Sequence, residues 1–124
     1  ICRPQICTLT FFFAGYNIPT MKAKLIYHVK EITLNGDILE IKIWQIPKSK
    51  DKPHGFKYSF AYIRRGKRLF GYDNAERKGD HKHVGNREIP YQFKSVDQLF
   101  ADFHRDIINL REKEYESKKH KNQH

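Results

Sequence analysis

KLIYHVKEITLNGDILEIKIWQI, residues 24–46, is the stretch that decides the fold. Leu25, Tyr27 and Val29 alternate with Lys24, His28 and Lys30, the two-residue period of a strand with one buried face. Asn35-Gly36 follows, a pair suited to the two left-handed positions of a tight type I′ turn, and a return strand starts at Ile38. Leu39, Ile41 and Ile43 share one face of that strand and Glu40, Lys42 and Trp44 the other, until Pro47 ends it. The chain therefore opens with an antiparallel hairpin.

Outward from the hairpin, residues 47–55 (PKSKDKPHG) read as a polar loop, too hydrophilic to be buried and long enough to move. Phe56, Tyr58, Phe60 and Tyr62 then take alternate positions of a third strand, an unbroken aromatic face that belongs either to the core or, at its tyrosine rim, to stacking on unpaired bases. Arg65-Gly66 reads as a second tight turn, with a fourth strand over residues 68–73. Residues 74–87 (NAERKGDHKHVGNR) have no hydrophobic period and read as a loop, and residues 90–93 as a fifth strand or an extended lead into a helix. Ser95 and Gln98 have the spacing of a capping box. Val96, Leu99, Phe100, Phe103, Ile107 and Leu110 recur at spacings of three and four, a helical stripe from which Asp97, Asp102 and Asp106 lie mostly apart. The expected architecture is α+β, an antiparallel sheet of four to five strands with one long C-terminal helix packed on one face.

The 124 residues are too few for an enzyme with separate cofactor and substrate domains. With 39% hydrophobic and 14% aromatic residues there is enough apolar mass for one small core, which argues against disorder throughout. We expect a single domain over residues 21–112, a basic flexible tail over 113–124, and a first segment, 1–20, that lacks an initiating Met and reads as appended. Cys2 and Cys7 would close too short a loop to staple a core, and the run LTFFFA at 9–14 is shorter than a signal-peptide core. No window has the length of a membrane span, so the expected location is the cytoplasm.

The formal charge of +10 points to a polyanion, nucleic acid first. Its densest part is residues 64–87, where Arg64, Arg65, Lys67, Arg68, Arg77, Lys78, Lys82 and Arg87 face only Asp73, Glu76 and Asp80. The bland reading is a solvated basic face. Within the same stretch, however, His81 and His83 stand two apart and share a side of an extended backbone, and an imidazole moves protons near neutral pH. RNA cleavage needs a base for the 2′ hydroxyl, an acid for the departing 5′ oxygen, and cations for the phosphorane. His81, His83 and Lys78 supply these types, with Tyr72 and Asp73 on the adjoining strand end, and Asp73 or Asp80 placed to orient an imidazole. Arg64, Arg65, Lys67, Arg68, Arg77, Lys82 and Arg87 are the candidate phosphate contacts. A His-x-His pair beside Asp is also a weak zinc or manganese pattern, but a third ligand is not evident, and neither metal nor other cofactor is expected.

Phe56-Lys57-Tyr58, Ala61-Tyr62, the string GYDNAERKGDHKH from Gly71, and Glu88-Ile89-Pro90-Tyr91-Gln92-Phe93 ahead of Leu99 and Asp102-Phe103 resemble the TumE family of small prokaryotic toxins over residues 21–110. Tyr72, Asp73, Asn74, Lys78, Gly79, Asp80, His81 and His83 stand where that family's signature has them. The resemblance implies a growth-inhibiting activity and a cognate antitoxin that neutralises it. Joined to the residue chemistry, it makes a small ribonuclease the leading expectation, with RNA and the antitoxin as partners and the oligomeric state open. The alternative is a non-catalytic nucleic-acid-binding protein that blocks translation or regulates its operon by occupancy. A third reading, a basic protein that docks only an acidic antitoxin, predicts no nucleic-acid affinity at physiological salt.

Overall fold

The computed structural model describes residues 23–122 except residue 76. It has a sheet unit that ends at Tyr91 and a helical unit that begins at Gln92. The expectations for residues 1–20 lie outside the described residues. Six strands form the sheet in chain order, β1 (Lys24–Ile32), β2 (Ile38–Gln45), β3 (Phe56–Arg64), β4 (Lys67–Asp73), β5 (His81–Val84) and β6 (Arg87–Pro90). Each pairs antiparallel with the next, so the sheet is a plain meander. The expected α+β class holds, but the strand count is six rather than four to five.

The first additional strand, β5, lies wholly within residues 74–87, which read as a loop, and β6 begins at the last residue of that segment. Val84 pairs with Arg87 across Gly85-Asn86, and Gly85 has φ 62°, a glycine at the first turn position as a type II′ hairpin requires. All of β6 is exposed at the sheet edge, so neither partner needs the hydrophobic alternation by which strands are recognised. Residues 91–95 form neither helix nor strand.

Turn chemistry is redistributed relative to expectation. At Asn35-Gly36 only Gly36 is left-handed, at φ 88°, and the loop closes through Gly36 N–H to Thr33 C=O at 2.9 Å and Thr33 N–H to Asp37 C=O at 2.8 Å. This is a three-residue connection with a glycine bulge instead of a two-residue type I′ turn. The type I′ pattern falls at Arg65-Gly66, where both residues have positive φ, 52° and 76°. A β1 irregularity between Leu25 and Tyr27 sets Leu25 opposite Trp44 and Tyr27 opposite Ile43, so Leu25 does not share a face with Tyr27 and Val29.

One face of the sheet unit is a core. Ile41 and Ile43 of β2, Tyr58, Phe60 and Tyr62 of β3, and Phe70 and Tyr72 of β4 lie in register and are all buried. Tyr62 and Phe70 stack at 5.1 Å with an interplanar angle of 7°. The aromatic face is therefore core, and its tyrosine hydroxyls are committed inside the protein instead of being offered to bases. Tyr62 Oη donates to Asp37 at 2.7 Å, and Tyr58 Oη donates to Asp80 at 2.7 Å.

Asp37 is 2% exposed and also accepts a two-point contact from Arg64, Nε to Oδ1 at 2.9 Å and Nη2 to Oδ2 at 2.8 Å. Those Arg64 hydrogen bonds lower its carboxyl pKa below the ordinary value, overcoming the opposing effect of burial. A lowered folded-state pKa stabilises the fold above the unfolded carboxylate's value and ceases to do so as pH falls through the lowered one. Urea unfolding of wild type and Asp37→Asn should therefore show a stability gap at pH 7 that narrows below about pH 4.

Residues 47–55 do not form the free loop their composition predicts. Ile46 N–H bonds Gly55 C=O at 2.9 Å, Lys52 N–H bonds Ser49 Oγ at 3.0 Å, and both Lys52 and Gly55 are buried. Backbone pairing can bury a polar sequence when its own turns satisfy its donors.

In the helical unit, α1 (Val96–Lys121) starts at the expected Ser95 cap, whose Oγ accepts Gln98 N–H at 3.0 Å. Leu99, Phe103 and Ile107 are buried along the expected stripe. Asp102 is buried with them, held by Gln98 Nε2 at 2.9 Å and Arg105 Nη1 at 3.0 Å. The helix also runs on through most of the expected tail. Beyond Glu112 there is no apolar stripe, but the Lys- and Glu-rich sequence has high helix propensity. Glu114 and Lys118 stand at a favourable spacing, and the last turn carries Lys118, Lys119, His120 and Lys121 at the negative helix end. Among the described residues no helix is long and apolar enough to cross a membrane.

Candidate active site

The face of the sheet opposite the aromatic core carries the candidate acid–base residues. Asp73 pairs with His81, Gly71 with His83, and His83 with Glu88, so Asp73, His81, His83 and Glu88 project on the same side. Beside them on β3 stand Ser59 and Ala61, opposite Asp73 and Gly71, which leaves a floor of small side chains next to the charged group.

Asp73 is shared between two imidazoles. Its Oδ1 lies 2.8 Å from His81 Nε2 and its Oδ2 3.0 Å from His83 Nε2. The rings are edge to face at 4.8 Å between centroids. His81 Nδ1 meets the Gly79 carbonyl at 3.0 Å. A carbonyl only accepts, so Nδ1 carries a proton, and the Asp73 carboxylate asks for a second on Nε2. His83 differs, because Asp73 takes the Nε2 proton and no described residue occupies Nδ1. This arrangement leaves the Nδ1 lone pair available for proton transfer. The site thus holds one imidazole in a doubly donating setting and one with a basic nitrogen.

Cations stand around this pair. Arg68 runs over Gly71, where a Cβ would meet its Cδ at 3.3 Å and collide with the Phe60 carbonyl oxygen, and it reaches Asp73 at 3.6 Å. Lys78 bonds Glu88 at 3.5 Å, and Glu88 in turn lies 3.8 Å from His81 Nε2. Lys78 is therefore linked to the histidines through Glu88, a residue absent from the sequence-based site. The signal for it was the Gly85-Asn86 hairpin turn, which fixes Glu88 opposite His83.

A second network is centred on Asp80. Asp80 Oδ1 receives Tyr58 Oη at 2.7 Å, His54 Nε2 at 3.0 Å and Asn74 Nδ2 at 3.3 Å. His54 Nδ1 accepts Phe56 N–H at 3.2 Å, which fixes the neutral ring as the Nε2–H tautomer. Asn74, fully buried, takes Tyr58 N–H on its Oδ1 and gives Nδ2–H to the Phe56 carbonyl. Burial foremost, then the Asp80 carboxylate, raises the Tyr58 pKa, so the phenol remains a proton donor. The two aspartates thus orient different imidazoles, Asp73 those of His81 and His83, and Asp80 that of His54.

Not every expected residue joins the cluster. Tyr72 is on the core face, 1% exposed, edge to face with Tyr91, and Lys82 lies over its ring at 5.2 Å, so both point away from Asp73. Arg64 is engaged by Asp37. Arg65, Lys67, Arg77 and Arg87 are exposed on turns and strand ends.

A family model described as Toxin TumE matches residues 13–111. The chain belongs to this toxin family, which implies a cognate antitoxin partner. No curated protein and no solved structure matched the chain.

Proposed function

We propose that this toxin cleaves RNA at the Asp73–His81–His83 cluster by acid–base chemistry, and that toxicity follows from loss of intact RNA in the cytoplasm. The single observation that carries the reading is one carboxylate holding two imidazoles in unlike hydrogen-bond settings, with His81 buried, His83 and Asp73 mostly covered, and Arg68 and Lys78 beside them. His83 Nδ1 removes the proton from a ribose 2′ hydroxyl, and the oxygen attacks the adjacent phosphorus. His81 gives its Nε2 proton to the departing 5′ oxygen, while Lys78 and Arg68 offset charge on the phosphorane oxygens. Asp73 fixes both rings. Arg65, Lys67, Arg77 and Arg87 hold the phosphate backbone, so affinity falls steeply as salt rises.

The test compares purified wild type with the double variant His81→Ala, His83→Ala on labelled RNA in EDTA. Cleavage by wild type alone supports the reading. Equal cleavage by both, or by neither, contradicts it. Growth arrest that survives loss of both histidines but disappears when Arg65, Lys67 and Arg87 become Ala would make occupancy of nucleic acid the activity.

A further inference from the structure

The pairing of β4 with β5 supplies what His-x-His lacks in sequence, a third donor. One oxygen of Asp73 and one nitrogen each of His81 and His83 all lie within 4.8 Å of one another. Two imidazole nitrogens and a carboxylate oxygen form a donor set suited to zinc. Bonds of 2.0–2.1 Å about a tetrahedral ion place its ligands about 3.3 Å apart, so the donors need shifts of roughly 1.5 Å or less to close on one. The Gly79 carbonyl holds His81 Nδ1–H, the outer contact that aims Nε2 at a ligating position. Glu88 Oε1 lies 3.8 Å from His81 Nε2 but is paired with Lys78 at 3.5 Å, so the three donors leave the fourth position to solvent.

We propose that Asp73, His81 and His83 bind one zinc-class divalent ion, and that the seated ion silences the toxin. Ligation through Nε2 displaces the Nε2 proton of each ring. His81 loses the proton it would give to the leaving oxygen, and the single ring proton of neutral His83 moves from Nε2 to Nδ1, where it occupies the lone pair that would act as base. The silencing rests on the acid–base reading above, whereas the binding does not.

The experiment titrates metal-free full chain with zinc against a chromophoric chelator, alongside magnesium, and counts bound metal after dialysis. The variants are His83→Gln and Asp73→Asn, with His120→Ala as a control at an exposed helix histidine and circular dichroism to establish that each folds. Expected are one zinc per chain in wild type and His120→Ala, little magnesium, and binding weakened about tenfold or more in both site variants. RNA cleavage should fall as zinc fills the site and return with EDTA. No zinc binding by wild type, or equal binding by folded His83→Gln, overturns the site. Cleavage that rises with zinc overturns the silencing and moves the chemistry to a metal-bound water. Zinc bound at the site with no RNA cleavage in its absence leaves the site standing and removes both the silencing and the catalytic reading.

Discussion

Asp73→Asn should lower RNA cleavage by about 10²–10⁴-fold, the range expected when positioned acid–base catalysis is lost. The substitution keeps size and shape but removes the charge that two rings share, at 2.8 Å from His81 and 3.0 Å from His83. An amide that presents its NH₂ to either ring forces that nitrogen to accept, which reverses the proton placement the mechanism needs. RNA affinity should change little, because the exposed cations are untouched. Tyr72→Phe is the informative partner variant. Its ring lies on the core face away from the cluster, and cleavage per folded molecule should stay near that of wild type. Single-turnover cleavage of labelled RNA measures both, and a Tyr72→Phe loss as deep as that of Asp73→Asn would contradict the assignment of faces.

The largest effect on stability is expected at Arg64→Ala, a loss of about 3–5 kcal/mol, as when one partner of a buried ion pair is removed. Arg64 is one-quarter exposed, but its partner Asp37 is nearly sealed, with a side chain 3% exposed. Without the guanidinium, that carboxylate keeps the Tyr62 hydroxyl as a donor but loses the cation that balances its charge. For a sheet unit of this size each kcal/mol lost lowers Tm by about 4–8 °C. Arg65→Ala, at an exposed turn position, should move Tm far less and weaken RNA binding instead. Thermal unfolding together with filter binding separates the two arginines, which composition alone placed in one phosphate-binding group.

The contrast between Arg64 and Arg65 shows where sequence reading loses resolution. Charge counting treats neighbours alike, whereas β3 ends at Arg64 and turns at Arg65, so one side chain returns to Asp37 and the other enters solvent. Alternation in β2 and β3 was legible because each strand buries one face and exposes the other. The β5–β6 hairpin was not legible by that route, since HKHV and REIP have no apolar period and only Gly85-Asn86 marked the turn. His81 and His83 could be paired from their spacing along an extended backbone. Asp73 could be named only as one of two aspartates able to orient them, because the choice over Asp80 depends on which residue faces His81 across β4 and β5. Glu88 could be reached only through the Gly85-Asn86 turn that sets it opposite His83, and His54 enters through a loop contact to Asp80, 26 residues away, beyond the reach of any local pattern.

The most direct measurement is the chemistry of the ends left when metal-free wild-type protein cuts a defined RNA in the presence of EDTA. Attack by the ribose 2′ oxygen under imidazole catalysis leaves a 2′,3′-cyclic phosphate on one fragment and a 5′ hydroxyl on the other, and an RNA with deoxyribose at the cut position stays intact. A 3′ hydroxyl with a 5′ phosphate, or cleavage that tolerates the missing 2′ oxygen, would contradict the roles of His83 as base and His81 as acid.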